Sequence, residues 1–516
     1  MSTAISNPIV TFNLVTRDQL VGLKDQRALV IGQKTSSGTA VAGAVTTDVA
    51  RTDAEINSLV GPNSHIAMML REFRRKNKHT NLDVIALDDN GSGVKATATI
   101  IVAGAATEAG TVYVSVASKR NHRYRVDVSK GDVPTDFLSN ISSVVGADAI
   151  KPFAYSNDST DTITFTAENA GPIANNWPLI VEGTVPGMTF TLTAWNGGAT
   201  NPSLTTLFDP VENIGYQTVV YPEAYEIDVL KDFLDPRKNV DNDVKEGRGF
   251  VYKNEAFATV KTTALSVNSS EIVILTNEPT NTDSWKGPHL PEAPDMLAAH
   301  FAACRARRFE TGVSISDIVV TNAADDQFGG IHTATLPYFN TPLTGIDQPL
   351  RGSGYSETEL RELESSGVAT LGANRTGNGV ITGPIVTTWQ NDAAGNPDDT
   401  WKYLNWRDGH GTIREYFVLN CRKEFSQSRL TDGVIPAGDK DFVNDARFRA
   451  FMGLLYGFLA EEAIVVSGRE AQEHFKNGLL VDLDMAERKI QCAADPAMVS
   501  QLGKILGAVK FSFNTQ

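Results

Sequence analysis

Residues 27–40 read RALVIGQKTSSGTA, and the first part of this stretch decides the class of fold. The run from Ala28 to Ile31 is apolar throughout and ends at Gly32, which predicts a buried strand. A second apolar run, LDVIAL at 82–87, predicts another. Helical patterns lie between the two runs, so the chain from residue 27 onward is expected to begin as an α/β core.

Two helices are predicted between these strands. Thr52 and Glu55 stand at capping-box spacing and Gly61 follows as a stop signal, which predicts a short helix over 53–60. A second helix, over about 64–78, is predicted by apolar residues that recur at i, i+3, i+4 and i+7. Those residues are Ile66, Met69, Leu70 and Phe73.

The pattern changes to period two over residues 94–200. This stretch is rich in Thr, Val, Gly and aromatic residues, and Val112, Val114 and Val116 show the alternation. Short alternating runs separated by turn residues predict strands. We therefore expect a β-rich domain inserted between pieces of the α/β core.

The mixed helix and strand pattern returns after about residue 210. Strands are predicted at 217–222 and 271–275, and helices at 227–233, about 293–308 and about 445–462. A further helix is predicted to begin at the capping box formed by Ser356 and Glu359.

The predicted fold is therefore α+β, or mixed α/β, and multi-domain. An α/β core is built from N- and C-terminal parts, with an inserted β-rich domain and extended terminal arms. The predicted segments are an N-terminal arm at 1–20, the first part of the core at 21–92, the insertion at 93–205, a middle α/β domain at 206–345, a C-terminal core domain at 346–500, and a helix end and arm strand at 501–516.

Composition narrows the class of function. The chain has 516 residues, 46 Lys+Arg against 61 Asp+Glu and a net charge of −15, which argues against a general nucleic-acid coat because phosphate binding needs clustered cations. With 41% hydrophobic residues a sizeable core is expected, and neither a membrane-spanning run nor a secretory signal is predicted. Three cysteines are expected to be reduced, buried thiols rather than a disulfide framework.

Motifs that carry chemistry are not recognisable in the sequence. The stretch Gly32–Thr39 has its Lys in the wrong place for a phosphate-binding loop and is interpreted as a turn after a strand. Asp408-Gly409-His410-Gly411 could hold a metal or a base, but a turn between two strands explains its glycines more simply. We predict no catalytic residue, no metal and no cofactor, and hence no enzyme.

One basic run is a candidate partner surface. Arg71, Arg74 and Arg75 lie with two lysines on the predicted helix opposite its apolar face. They could dock an acidic protein partner or nucleic acid, and the net charge of −15 favours the protein partner. The alternative is an ordinary solvated helix end, where cations are favoured by the helix dipole.

Both ends of the chain carry alternating apolar residues typical of strands. A lone strand must pair its backbone with another strand, either within its own domain or by adding to the sheet of a neighbouring copy. The residues of the two predicted arms are Val10, Phe12 and Leu14 at the N-terminus and Val509, Phe511 and Phe513 at the C-terminus.

Several stretches, taken in order, resemble the tail sheath proteins of contractile bacteriophages. The resemblance spans nearly the whole chain, although each stretch alone is weak and none is a catalytic motif. Trp389 and Asn176 depart from the residues expected at their positions. The stretches are RALVIGQKTSSGTA at 27–40, FTAENAGPIANNWPLIV at 165–181, LPYFNTPL at 336–343, GVATLGANRTGNGVITGPIVTTWQ at 367–390, and Leu502 through Phe513.

The resemblance implies a mechanical protein of the virion, assembled in the host cytoplasm. Sheath subunits form hexameric rings stacked in a helical lattice around a tail tube, and the arms of neighbours complete a sheet on the C-terminal core. The resemblance also implies that the inserted β-rich domain faces outward. Baseplate and tail terminator proteins are further implied partners. Contraction, without nucleotide, drives the tube through the host envelope. Residues that could face the tube or another partner are Arg447, Arg449 and Lys504.

Two alternatives stay open from the sequence. The chain could be the sheath of a phage-derived contractile injection or bacteriocin particle, whose subunit would look the same. It could also be an α/β enzyme with a β accessory domain, which would need a pocket of convergent polar groups.

Overall fold

A computed structural model gives the fold of most of the chain. The structure describes residues 26–49, 52–239, 245–309, 336–339, 341–349, 354–373, 380–435, 441–461, 464–486, 489–494 and 496–498. The chain divides into two compact units, a larger one spanning Asp25–Asp408 and a smaller one that includes Gly409–Gln516.

A nine-stranded sheet forms the centre of the larger unit. Its order is β16-β18-β17-β13-β12-β11-β1-β3-β2, and the six strands from β17 to β3 are parallel, with antiparallel strands at both edges. The apolar runs predicted as buried strands are thus confirmed at the middle of the sheet. The strands are β1 (Arg27–Gln33), β2 (Val45–Thr46), β3 (Asn81–Leu87), β11 (Thr218–Val220), β12 (Arg248–Lys253), β13 (Ile272–Thr276), β16 (Pro342–Leu343), β17 (Val368–Ala373) and β18 (Val380–Thr382).

Helices of the larger unit cover both faces of this sheet. Parallel strands need crossover connections, and the helices that make them place their apolar sides on the sheet. The capping box of Thr52 and Glu55 and the stop at Gly61 are confirmed at α1, as is the box of Ser356 and Glu359 at α7. The helices of the larger unit are α1 (Asp53–Val60), α2 (His65–Lys76), α3 (Pro134–Gly146), α4 (Ile227–Leu234), α5 (Phe257–Val267), α6 (Pro294–Arg308) and α7 (Glu357–Ser365). Of these, α3 belongs to the inserted domain and does not cover the central sheet.

Each face of the sheet has its own hydrophobic core. On one face α2 and α6 pack against the strands through residues such as Phe73 and Phe301. On the other face α4, α5 and α7 contribute Leu230, Val260 and Leu363. All five side chains are essentially removed from water, which is the main stabilising term for such a layer.

The inserted domain is built from two further sheets that share one core. One sheet has the order β10-β4-β8-β7 and the other β14-β15-β9-β5-β6. Alternating burial along β6 shows the period-two pattern expected of a half-buried strand. The strands are β4 (Lys95–Gly104), β5 (Gly110–Val116), β6 (Ser118–Val128), β7 (Phe153–Asn157), β8 (Thr162–Ala170), β9 (Leu179–Glu182), β10 (Met188–Asn196), β14 (Pro279–Asn281) and β15 (Trp285–Pro288).

Two features of this domain were not predicted. Strands β14 and β15 come from residues 279–288, so the domain recruits chain from well beyond the insertion. Helix α3 packs against its sheets with Phe137, Ile141 and Val145 buried. Those residues recur every fourth position after Pro134, a helix signal that the surrounding β pattern obscured.

The smaller unit combines helices with short strands. The predicted helix over about 445–462 is confirmed, and Phe475 packs against Tyr456 with ring centroids 4.4 Å apart. The elements in and leading into this unit are α8 (Leu404–Phe425), β19 (Arg429–Leu430), β20 (Phe442–Val443), α9 (Asp445–Glu461), α10 (Arg469–Gly478), β21 (Leu480–Asp484) and β22 (Lys489–Ala493).

The stretch Asp408–Gly411 was predicted as a turn between strands, and this is wrong. It lies inside α8, although each interior glycine costs a helix about 1 kcal/mol. The buried ion pairs of Asp408 and of the preceding Arg407 offset that cost. The predicted mixed α/β, multi-domain class is confirmed, and the division into six segments stays a prediction.

Candidate functional site: assembly surfaces and buried charge clusters

The two predicted arms lie outside the described residues. This holds for the tube-facing candidate Lys504 as well, so its role stays a prediction. The arm residues concerned are Val10, Phe12, Leu14, Val509, Phe511 and Phe513.

The basic run on α2 is used largely within its own unit. Arg74 is buried, and its guanidinium donates to the backbone carbonyls of Thr80 and Val49, each at 2.8 Å. Arg71 donates to the carbonyl of Pro62 at 2.8 Å. Arg75 donates to Glu72 at 2.8 Å and is one-third exposed. Of the three arginines, Arg75 therefore offers the most surface for the proposed partner contact, and Arg74 offers very little.

The two arginines at the start of α9 lie in the smaller unit. Arg449 pairs with Asp445, one turn before it, at 2.7 Å, and also donates to the carbonyl of Leu479. Arg447 donates to Glu424 at 3.1 Å. Both side chains are partly exposed. They could reach a partner, and their tube-facing role stays a prediction.

In the part of the chain that the structure describes, a hairpin of the smaller unit forms a sheet of two strands. Strands β21 and β22 pair with each other in antiparallel register, from Leu480 opposite Ala493 to Asp484 opposite Lys489. No third strand joins them among the described residues. Leu480 at the start of the hairpin is 68% exposed. An isolated two-stranded hairpin is marginally stable, so this one is suited to receive further strands.

Sequence reasoning missed this hairpin. The signal was present in GLLVDLDMAERKIQCA at 478–493, where apolar and polar residues alternate on both sides of a polar turn. The segment was instead included in the C-terminal core domain without elements of its own.

One buried charge cluster, here the Asp408 cluster, lies at the amino ends of β11, β12 and β13. The carboxylate of Asp408 accepts two hydrogen bonds from the guanidinium of Arg305, at 2.6 and 2.9 Å, and one from the hydroxyl of Tyr338 at 2.8 Å. Arg248 pairs with Asp408 at 3.2 Å and with Glu271. Burial opposes the charge on Arg305, but Asp408 more than compensates and raises its pKa.

This cluster joins segments that are far apart in sequence. Arg407 pairs with Glu271 at 2.8 Å and with Glu246 at 3.1 Å, and the three side chains are nearly inaccessible. Removing one member of such a network leaves an uncompensated buried charge, which is strongly destabilising. The cluster therefore fixes the start of α8 against the central sheet.

A second cluster lies at the carboxyl ends of the strands, where α/β proteins often bind ligands. His65 Nε2 donates to Asp295 at 2.7 Å, and the other carboxylate oxygen of Asp295 accepts the backbone N–H of Glu223 at 2.6 Å. Burial, and then Asp295, raise the pKa of Glu223 to about 8. These groups are fully buried and bonded to one another, which favours a structural role over a catalytic one.

A third cluster, here the Glu72 cluster, connects the inserted domain to α2 and α6. Glu72 accepts from His300 at 2.6 Å and from Arg120 of β6 at 3.2 Å. Glu292 accepts from Ser118 and from the backbone of Arg120, and burial raises its pKa to about 8. The inserted domain is thus tied to the core by hydrogen-bonded charges as well as by the chain itself.

Among the described residues, His, Cys, Asp and Glu nowhere gather in a group of three or more that could hold a metal ion. Over the same ranges no helix is both long and apolar enough to span a bilayer. The prediction of buried thiols is wrong for Cys492, which is exposed, and Cys304 and Cys421 are partly exposed.

Compared with known proteins, the chain is similar along nearly its whole length to a phage tail sheath protein, which confirms the resemblance seen in the sequence. That relative is the Mu-like prophage FluMu tail sheath protein of Haemophilus influenzae (strain ATCC 51907 / DSM 11121 / KW20 / Rd). The two are 23% identical over 498 residues, which cover 94% of this chain and 92% of the relative. No family model matches the chain.

Solved structures with a similar chain path include two sheath tail proteins. The one from Desulfitobacterium hafniense overlaps with a TM-score of 0.45 at 11% identity, covering 92% of this chain and 97% of that one. The one from Listeria innocua overlaps with a TM-score of 0.45 at 12% identity, covering 94% of each chain.

Proposed function

We propose that this chain is the structural subunit of a contractile tail sheath. Copies polymerise as stacked hexameric rings in a helical lattice around a tail tube, between a baseplate and a tail terminator. Contraction drives the tube through the host cell envelope. In this proposal the chain is a virion component assembled in the host cytoplasm, has no enzymatic activity or cofactor, and neither binds nucleic acid nor inserts into a membrane.

The observation that carries this proposal is the open hairpin of β21 and β22. Both outer edges of the hairpin are without a strand partner in the described part of the chain. Unpaired strand edges are templates for pairing with another chain. The sequence supplies two candidate strands, at residues 10–14 and 509–513. We propose that the arms of neighbouring copies add to this hairpin and complete its sheet.

The energetics favour arm exchange in a lattice rather than in a pair. Burying the three apolar side chains of one arm contributes roughly 5–8 kcal/mol. Ordering the backbone of about six residues costs a similar amount. One arm is therefore marginal alone. When every copy gives and receives arms, each added contact forms within an existing assembly, and effective concentration makes the lattice strong.

In this proposal the larger unit moves as a rigid body during contraction. Its sheet is fixed at the amino ends of three strands by the Asp408 cluster, and the inserted domain is held to the core by the Glu72 cluster. Contraction then changes how units dock and leaves each one intact, as in other transitions between two packings. We further propose that the inserted domain faces outward in the sheath.

Cross-linking from the native Cys492 tests the proposal. This residue is exposed on β22, so a cysteine placed on a paired arm would lie within disulfide range. Val10, Phe12, Val509 and Phe511 are replaced singly by Cys in a Cys421→Ser background. Assembled protein is oxidised mildly and examined on a non-reducing gel.

At least one arm position should give a ladder of covalent oligomers that disappears when Cys492→Ser is added. The matched control is Ser159→Cys, an exposed position on a turn of the inserted domain, which should give no ladder. If every arm variant stays monomeric, or closes a disulfide within one chain, the arms are not exchanged and the proposal is wrong.

A further inference from the structure

Helices α2 and α6 bring a carboxylate, an imidazole and a thiol together beside the Glu72 cluster. Glu72 and His300 are completely buried, and His300 Nδ1 lies 2.6 Å from a carboxylate oxygen of Glu72. This contact fixes Nδ1 as the proton donor, since a carboxylate only accepts. The other ring nitrogen, Nε2, is then left to act as a base toward whatever faces it.

The thiol of Cys304 is the group that interacts with this imidazole. Nε2 of His300 is buried and makes no hydrogen bond within the described ranges. Cys304 follows four residues later, which places the two side chains on one face of α6. Burial alone would lower the pKa of His300, but the Cys304 thiolate, and then Glu72, raise it.

The surroundings of the thiol favour its ionised form. Burial opposes ionisation, yet His300 lowers the pKa of Cys304, with smaller contributions from Lys76 of α2 and Arg308 of α6. Burial opposes the charge on Glu72, but His300, and then its ion-pair partners Arg75 and Arg120, lower its pKa and keep that carboxylate charged. Thiolates next to imidazolium and other cations are the reactive form of cysteine.

The other two cysteines are the internal comparison. Burial raises the pKa of Cys421 to about 12, and burial also raises the pKa of Cys492 above its ordinary value. Neither cysteine shows a cation among the causes of its shift. Cys492 is nevertheless exposed, whereas Cys304 is only partly so. Cys492 is therefore the more exposed of these two thiols, whereas Cys304 is the one whose surroundings favour the ionised form.

We propose that Cys304 is a reactive thiol site that a small hydroperoxide oxidises, with His300 as its base and Glu72 as the residue that positions His300. The thiolate sulfur attacks one peroxide oxygen, an S–O bond forms and the O–O bond breaks. Sulfur is oxidised by two electrons to a sulfenic acid. The leaving group, hydroxide from hydrogen peroxide or alkoxide from an alkyl hydroperoxide, takes the proton from the His300 imidazolium and departs as water or as the alcohol.

The pH dependence of the alkylation rate reports the ionisation of each thiol independently of its exposure to the reagent. Purified full-length protein is treated with iodoacetamide between pH 6 and 9, and alkylation of each cysteine is followed by peptide mass spectrometry. An un-ionised thiol gains about tenfold in rate for each pH unit below its pKa, and an ionised one does not. The alkylation rate of Cys304 should therefore level off at a lower pH than that of Cys492, which should rise steeply across the range. A steep rise at both would overturn the proposal.

Variants and the oxidation itself complete the test. His300→Gln should restore a steep profile at Cys304, and the conservative Glu72→Asp should change it less than Glu72→Gln does. With hydrogen peroxide and dimedone at pH 7, the sulfenic adduct should form on Cys304 of the native chain. An adduct on Cys492 and none on Cys304 would contradict the proposal, even if every variant failed to fold.

Discussion

Replacing Arg305 with Met should destabilise the larger unit strongly, because it removes one partner from the Asp408 cluster. Arg305 makes the bidentate contact to Asp408 and also donates to the carbonyl of Gln217 at 2.8 Å and the hydroxyl of Thr218 at 2.9 Å. Arg305, Asp408 and Thr218 are buried. Breaking a buried pair from one side typically costs about 3–5 kcal/mol.

The expected change in melting temperature follows from this loss of stability and from the number of residues in the unit. Asp25–Asp408 is a unit of 384 residues. At about 2.1 cal/mol/K per residue its unfolding entropy is about 0.8 kcal/mol/K, so a loss of about 4 kcal/mol lowers the melting temperature by about 5 °C. Differential scanning calorimetry of unassembled protein measures this shift.

The matched control removes an arginine from an exposed ion pair. Arg361 pairs with Glu357 one turn away on α7, and both side chains are more than two-thirds exposed. Such pairs contribute little, so Arg361→Met should shift the transition by less than about 1 °C. If Arg305→Met behaves like this control, the Asp408 cluster does not stabilise the sheet and the reasoning is refuted.

Three further predictions concern pH, packing and assembly. Burial, and then Asp295, raise the pKa of Glu223 to about 8, so its contribution to stability is full below the unfolded-state pKa of about 4.3 and is lost as the pH rises toward 8. Glu223→Gln should therefore flatten the fall of the melting temperature between pH 5 and 9. An unchanged slope would contradict this. Gly38→Ala should lower the melting temperature by several degrees, since its Cβ would lie 2.5 Å from backbone at the end of α1, whereas Gly91→Ala, which meets nothing within 4 Å, should be nearly neutral in the same calorimetry. Deleting residues 1–15 should leave a folded chain by circular dichroism that forms no long polymers in negative stain, and sheaths of normal length would count against the arm proposal.

The elements that the sequence predicted well are those whose signals are local. The helix α1 is an example, because Thr52 and Glu55 bond each other's backbone and Gly61 ends the helix with a positive φ. The strand β1 is another, because a run of apolar residues has few alternatives to burial in the middle of a sheet. These features do not depend on distant parts of the chain.

The features that were missed depend on tertiary contacts. Nothing near Asp408 in sequence shows that Arg305 and Arg248 surround it, so its glycine neighbours suggested a turn where a helix forms. In the same way, Glu72, His300 and Cys304 meet only because α2 and α6 pack together. The arms were identified as candidates from their alternation, but the hairpin proposed to receive them became visible only in the structure.

A high-resolution electron cryomicroscopy map of the assembled polymer tests the central claim most directly. The account predicts that the sheet of β21 and β22 is extended by strands of residues 10–14 or 509–513 that trace back to other copies of the chain. A map in which both ends of every chain return to their own molecule, with the edges of the hairpin left open, would contradict it.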